Sequence, residues 1–159
     1  MREILFRGKT TKKENENYGF NNAFVYGDLL TNKGVYYIHP QNNVFRVHNE
    51  LANILVAHEV IPETVGQFTG LTDKNGKKIF EGDIVRVKGK ETEENWKDYD
   101  EFGKVVFENG AFLIKVANIF NGKKYFSEVH SRYMTTADWV EREVVGNVFE
   151  NKELLGENK

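Results

Sequence analysis

Lys104-Val105-Val106-Phe107-Glu108-Asn109-Gly110-Ala111-Phe112-Leu113-Ile114-Lys115-Val116-Ala117 is the stretch on which the reading of the fold turns. Val105 and Phe107 oppose Lys104 and Glu108, and Phe112, Ile114 and Val116 oppose Lys115. Alternation at period two puts one set of side chains on each face of a strand. Asn-Gly between two such runs is the favoured two-residue hairpin loop, because both central residues must take positive φ. The stretch reads as a hairpin with one buried face.

Outward from the hairpin, the pattern repeats. The chain has 14 glycines and 2 prolines, and the glycines stand singly between short apolar runs. With the excess of Phe, Tyr and Val, this spacing predicts short strands joined by turns. The candidates are Glu3–Arg7, Phe24–Leu30, Val35–His39, Ile54–Val60, Val65–Thr69, Ile84–Lys88, Lys104–Glu108, Phe112–Ala117 and Glu143–Glu150. Asn75-Gly76 and Asn121-Gly122 are further tight-turn candidates. Helix signals are few. Asn49 stands where it could cap Glu50–Ala57, although Ile54-Leu55-Val56 reads equally as strand. Asn151 precedes Lys152-Glu153-Leu154-Leu155 as a cap on a last helical turn, and one more short helix is expected near Thr136–Val140. The architecture expected is mainly β, with one or two short helices. An N-terminal β subdomain over 1–62 precedes a small, partly open C-terminal β-barrel over 63–159.

Lys90–Glu101, reading KETEENWKDYDE, interrupts the strand period and is expected to be a solvated acidic loop. Its Trp96 and Tyr99 are the aromatic side chains suited to gripping a protein partner. Gly27-Asp28-Leu29 and Gly82-Asp83-Ile84 suggest similar strand entries in the two halves.

Composition narrows the function classes. The 159 residues suit one domain or two very small ones, and 22 basic against 24 acidic residues give −2. That balance argues against a surface built wholly for nucleic acid or anionic membrane. Without cysteine there is no disulfide, thiolate nucleophile or Cys-based metal site. No apolar stretch approaches the roughly 7–15 residues of a signal or the about 20 of a membrane span, so a soluble chain without a membrane partner is expected.

Motifs for chemistry are sparse, and no cofactor is expected. His39, His48, His58 and His130 form no HxH or HxxxH pair, and His58 alternates with Val56 and Val60 as a strand histidine does. Asp73-Lys74-Asn75-Gly76 ending at Glu81 has its glycine and glutamate at the wrong positions for a calcium loop. There is no phosphate-binding glycine motif, and Ser127 and Ser131 lie in no GxSxG elbow. Glu81 and Asp83, with Asp73 near in sequence, form a carboxylate set for a metal-assisted hydrolase. The alternative is a turn in which Asp83 bonds backbone amides. Lys77, Lys78, Arg86 and Lys88, with Phe68 and Phe80 interleaved, form a candidate nucleic-acid contact on a small barrel. The acidic run that follows would repel phosphate.

Ile61-Pro62-Glu63-Thr64-Val65-Gly66-Gln67-Phe68-Thr69-Gly70-Leu71-Thr72-Asp73-Lys74-Asn75-Gly76-Lys77-Lys78-Ile79-Phe80-Glu81-Gly82-Asp83-Ile84-Val85 closely resembles the YopX family of phage and prophage proteins. The opening Arg2–Lys9, the run Phe24–Leu29 and the closing Glu143–Asn151 resemble it too, in family order. The resemblance implies a phage or prophage origin, action in the host cytoplasm, and a β-rich fold with a small barrel in the C-terminal half. It brings no known activity and no catalytic or binding residues. Three functions are therefore carried forward. The first is a non-enzymatic accessory protein that self-assembles or binds a phage or host protein. The second is a nucleic-acid-binding barrel, and the third a carboxylate-metal hydrolase.

Overall fold

The computed structural model describes residues 3–41, 45–47, 50–52, 57–90, 98–120, 123–127 and 141–156. These residues form a mainly β protein in two compact units, Met1–Phe68 and Thr69–Lys159.

In the first unit β1 (Phe6–Lys9), β2 (Phe24–Asn32), β3 (Val35–His39), β6 (His58–Val60) and the start of β7 (Gly66–Thr72) form a sheet in the order β6-β3-β2-β1-β7. Val25, Ile38 and Val60 are its buried centre, with Phe6, Phe20, Leu29, Tyr36 and Val65 packed around them. The β2–β3 hairpin closes through Lys33-Gly34, at φ 49° and 81°. Gly27 in β2 runs so close to β3 that a Cβ would sit 1.9 Å from the His39 carbonyl oxygen. Only glycine fits there. A short separate hairpin pairs β4 (Phe45–Val47) with β5 (Glu50–Ala52), so Glu50–Ala52 is strand and not the start of a helix.

The α-helix α1 (Lys12–Tyr18) lies where the sequence shows no apolar period. Its ends explain it. Thr11 is extended and its Oγ1 accepts from the Glu14 amide at 3.4 Å, while left-handed Gly19 closes the helix with its amide on the Asn15 carbonyl. Thr11-x-x-Glu14 has the capping-box spacing.

In the second unit β7 continues into β8 (Lys78–Phe80), followed by β9 (Asp83–Lys90), β10 (Asp98–Glu108), β11 (Ala111–Phe120), β12 (Lys123–Ser127) and β13 (Glu141–Asn147). Strands β9 to β13 form an open antiparallel sheet in the order β12-β11-β10-β9-β13, and among the described residues it does not close into a barrel. Val85 and Val87 of β9, Val105 of β10, Ile114 and Val116 of β11 and Val144 of β13 share its buried face, covered by Leu71 of β7 and Ile79 of β8. Each such fully buried aliphatic contributes about 1.5–3 kcal/mol relative to exposure.

The β10–β11 hairpin has the register expected of it, with Phe107 opposite Phe112 and Asn109-Gly110 at φ 52° and 80°. Other expectations are corrected. Asp98–Glu101 belong to β10 and pair with Val87–Lys90, so the acidic segment is in part strand. Opposite charges across the ladder, Asp100 facing Lys88, give these polar residues a reason to be there. Trp96 lies outside the described residues, and of Tyr99 only the strand backbone is described. Thr136–Val140, Asn49 and Asn121-Gly122 also lie outside them. β13 ends at Asn147, and 148–150 is a turn. Gly27 is mid-strand whereas Gly82, at φ 80°, is in a turn, so the two Gly-Asp units are unlike. The last turn, Lys152–Leu155, is 3₁₀, and Asn151 does not cap it but accepts the Asn147 amide on Oδ1 at 3.2 Å.

Candidate functional site

Of the three carboxylates singled out for chemistry, Asp73 and Asp83 are held by main chain, and Glu81 lies in the turn between β8 and β9. Asp73 sits between β7 and β8, and its Oδ1 accepts from the amides of Asn75 at 2.8 Å and Lys77 at 2.9 Å. Its Oδ2 accepts from the Val144 amide of β13 at 3.0 Å. Burial pushes this carboxyl's pKa up, but the Val144, Lys77 and Asn75 amides and the Lys77 ammonium together outweigh burial and hold it below the ordinary 3.8. Asp83, only 1% exposed, accepts the Phe80 amide on Oδ2 at 2.8 Å, which is the turn geometry. Among the described residues no three His, Asp or Glu side chains are grouped to hold a metal.

The expected nucleic-acid residues split. Phe68 and Phe80 are 5% and 3% exposed, so neither ring offers a face to a base. Lys77 ends the β7–β8 turn and Lys78 opens β8. Arg86 and Lys88 lie on the polar face of β9, where β13 sets Glu143 and Glu141 opposite them and β10 sets Asp100 opposite Lys88. Arg86 holds Asp100 with two bonds, Nε to Oδ1 at 2.7 Å and Nη2 to Oδ2 at 2.6 Å, and Lys88 stands 3.6 Å from the same carboxylate. Beyond β13, the Lys74 ammonium is 2.9 Å from Glu143 and 3.9 Å from Glu141.

Charge therefore alternates across this face in columns, from Lys74 through Glu141 and Glu143 to Arg86 and Lys88 and then Asp100. The Asp100 bond raises the Arg86 pKa, and Arg86 in turn lowers that of Asp100. The Glu143 bond raises that of Lys74. Lys74, Arg86, Lys88, Glu141, Arg142 and Glu143 line a shallow surface depression here. A column of cations flanked by carboxylates does not build the single-sign field that phosphate chains need.

One cluster went unread in the sequence. His58 of β6 is buried with its Nδ1 3.1 Å from Glu14 Oε2 of α1, and the Phe20 ring stands edge-on to it at 4.5 Å. Glu14 and His58 are 44 positions apart, so no local spacing reports the pair. Only the Thr11–Glu14 cap signal could have placed Glu14.

The YopX protein family model matches residues 7–156. The chain belongs to the YopX family. No curated protein matches it. It is similar to the crystal structure of protein EF1440 from Enterococcus faecalis, at 18% identity over 98% of this chain and 99% of that one, with a TM-score of 0.43. Among the described residues of this YopX-family chain, no helix is long and apolar enough to cross a membrane.

Proposed function

We propose that this YopX-family protein acts by recognition, as a phage or prophage accessory protein in the host cytoplasm that self-assembles or binds a phage or host protein. The observation carrying this reading is the commitment of Asp73 and Asp83 to backbone amides, which leaves their oxygens serving turns and strand edges. Ile4, Tyr26 and Phe107 are large apolar side chains left exposed, the kind that anchors protein contacts. Phe107 is further stiffened by Phe112, ring centroids 4.9 Å apart.

The test is light scattering over a concentration series, combined with capture from host lysate. A defined oligomer, or a stoichiometric partner that Phe107→Ser weakens, is expected. A strict monomer that captures nothing overturns the reading. The nucleic-acid alternative keeps Lys77 and Lys78 as contacts but has Arg86 and Lys88 engaged with Asp100. Single-strand oligonucleotide binding at low salt, falling steeply with added salt, is the result that would favour it. The hydrolase alternative calls for thermal stabilisation by Mg²⁺ or Mn²⁺ that Asp83→Ala abolishes.

A further inference from the structure

Among the described residues strand β13 ends its sheet, and an end strand presents a row of main-chain donors and acceptors on which another chain can build. Here two neighbouring groups of that row are already taken. The Lys74 amide donates to the Arg142 carbonyl at 2.9 Å, and Asp73 Oδ2 accepts from the Val144 amide at 3.0 Å. A carbonyl at one residue and an amide two residues on point to the same side of a strand, so this pair of bonds copies one rung of an antiparallel ladder. The side-chain carboxylate stands in for a neighbouring carbonyl. At the other end of β13, Asn151 Oδ1 takes the Asn147 amide, and a register shift between Val144 and Gly146 bends the edge further.

We propose that the Asp73–Lys74 turn is an edge plug, which keeps β13 from pairing with the β13 of a second copy of this chain. If two copies paired through Arg142 and Val144, the two-fold axis would fall at Glu143. Each Glu143 would then face its own copy, and like charges directly opposite are destabilising. Lys74 caps that carboxylate at 2.9 Å in the closed form. The plug thus works by hydrogen bonding at the main chain and by charge at the side chain.

The absence of cysteine makes a direct experiment available. Residues facing each other at such a centre have Cα atoms about 4.5 Å apart, within disulfide range. Glu143→Cys removes the repulsion and reports the pairing. Asp73→Asn in that background keeps an oxygen for the turn amides of Asn75 and Lys77 but sets an N–H₂ against the Val144 amide. Lys74→Pro keeps the turn, where proline suits the second position, and deletes the amide that holds Arg142.

Under mild oxidation, E143C alone is expected to give little disulfide dimer, and E143C with D73N several-fold more, with the β-sheet circular dichroism retained. E143C with K74P carries the same expectation should D73N disturb the sheet. Equal dimer yields with and without the plug mutations overturn the proposal. The wild-type mass in solution tests the recognition reading, and the difference between these variants tests the plug, so the two fail separately.

Discussion

Two turns of this protein share the dipeptide Asn-Gly and a left-handed glycine, and differ in how the chain reaches it. At Asn109-Gly110 both residues are left-handed, φ 52° and 80°, and β10 and β11 meet with no residue to spare. At Asn75-Gly76 only the glycine is, at φ 79°, while Asn75 is not. The cause lies two residues upstream. The Asp73 carboxylate gathers the amides of Asn75 and Lys77 and draws the chain into a wider loop, closed by the Asp73 amide on the Lys77 carbonyl at 2.8 Å. One turn is set by backbone preference, the other by a side chain that also reaches β13. A dipeptide signal reports a turn, and its flanking polar residue decides which one.

Removing the side chain that makes the difference should have the largest effect. Asp73→Ala strips three amides of their acceptor and leaves the Val144 amide buried, and is expected to cost about 3 kcal/mol in urea unfolding. Because the Asp73 pKa is lowered on folding, its contribution is complete above the unfolded value of 3.8 and lost as pH falls through the lower folded value. In Asp73→Asn that acid limb of the stability curve should flatten. Asn109→Ala, forcing a left-handed residue without asparagine's local bonding, should cost about 1 kcal/mol. Asn75→Ala should stay within about 0.5 kcal/mol, since Asn75 is exposed and not left-handed. A loss at Asn75 equal to that at Asn109 would erase the distinction between the turns. Asp100→Asn, on an exposed pair, should remove part of the salt dependence of unfolding with little change in the midpoint at high salt.

Much of the fold was legible where periodicity and turn chemistry coincide. Val105, Phe107, Phe112, Ile114 and Val116 alternate cleanly around Asn109-Gly110, and the hairpin follows. Local pattern failed where distant partners decide. Asp98–Glu101 look like loop until Val87–Lys90 lie beside them and supply opposite charges. Helix α1 has no apolar stripe, and only the Thr11–Glu14 cap and Gly19 announce it. At the candidate site, Asp73 and Asp83 were visible as residues, but their roles depended on which amides the fold would bring to them. The Val144 amide is 71 positions from Asp73, beyond any spacing rule. Burial of Phe68 and Phe80 follows from side-chain packing, which the basic stretch around them conceals.

The most direct test of an Asp73 carboxylate committed to architecture is its own titration, followed by carboxyl-carbon NMR with and without Mg²⁺. A midpoint below 3.8 that magnesium leaves in place is expected. A midpoint at or above that value, or a resonance that moves with the metal, would contradict it and return Asp73 to the chemistry it was first suspected of.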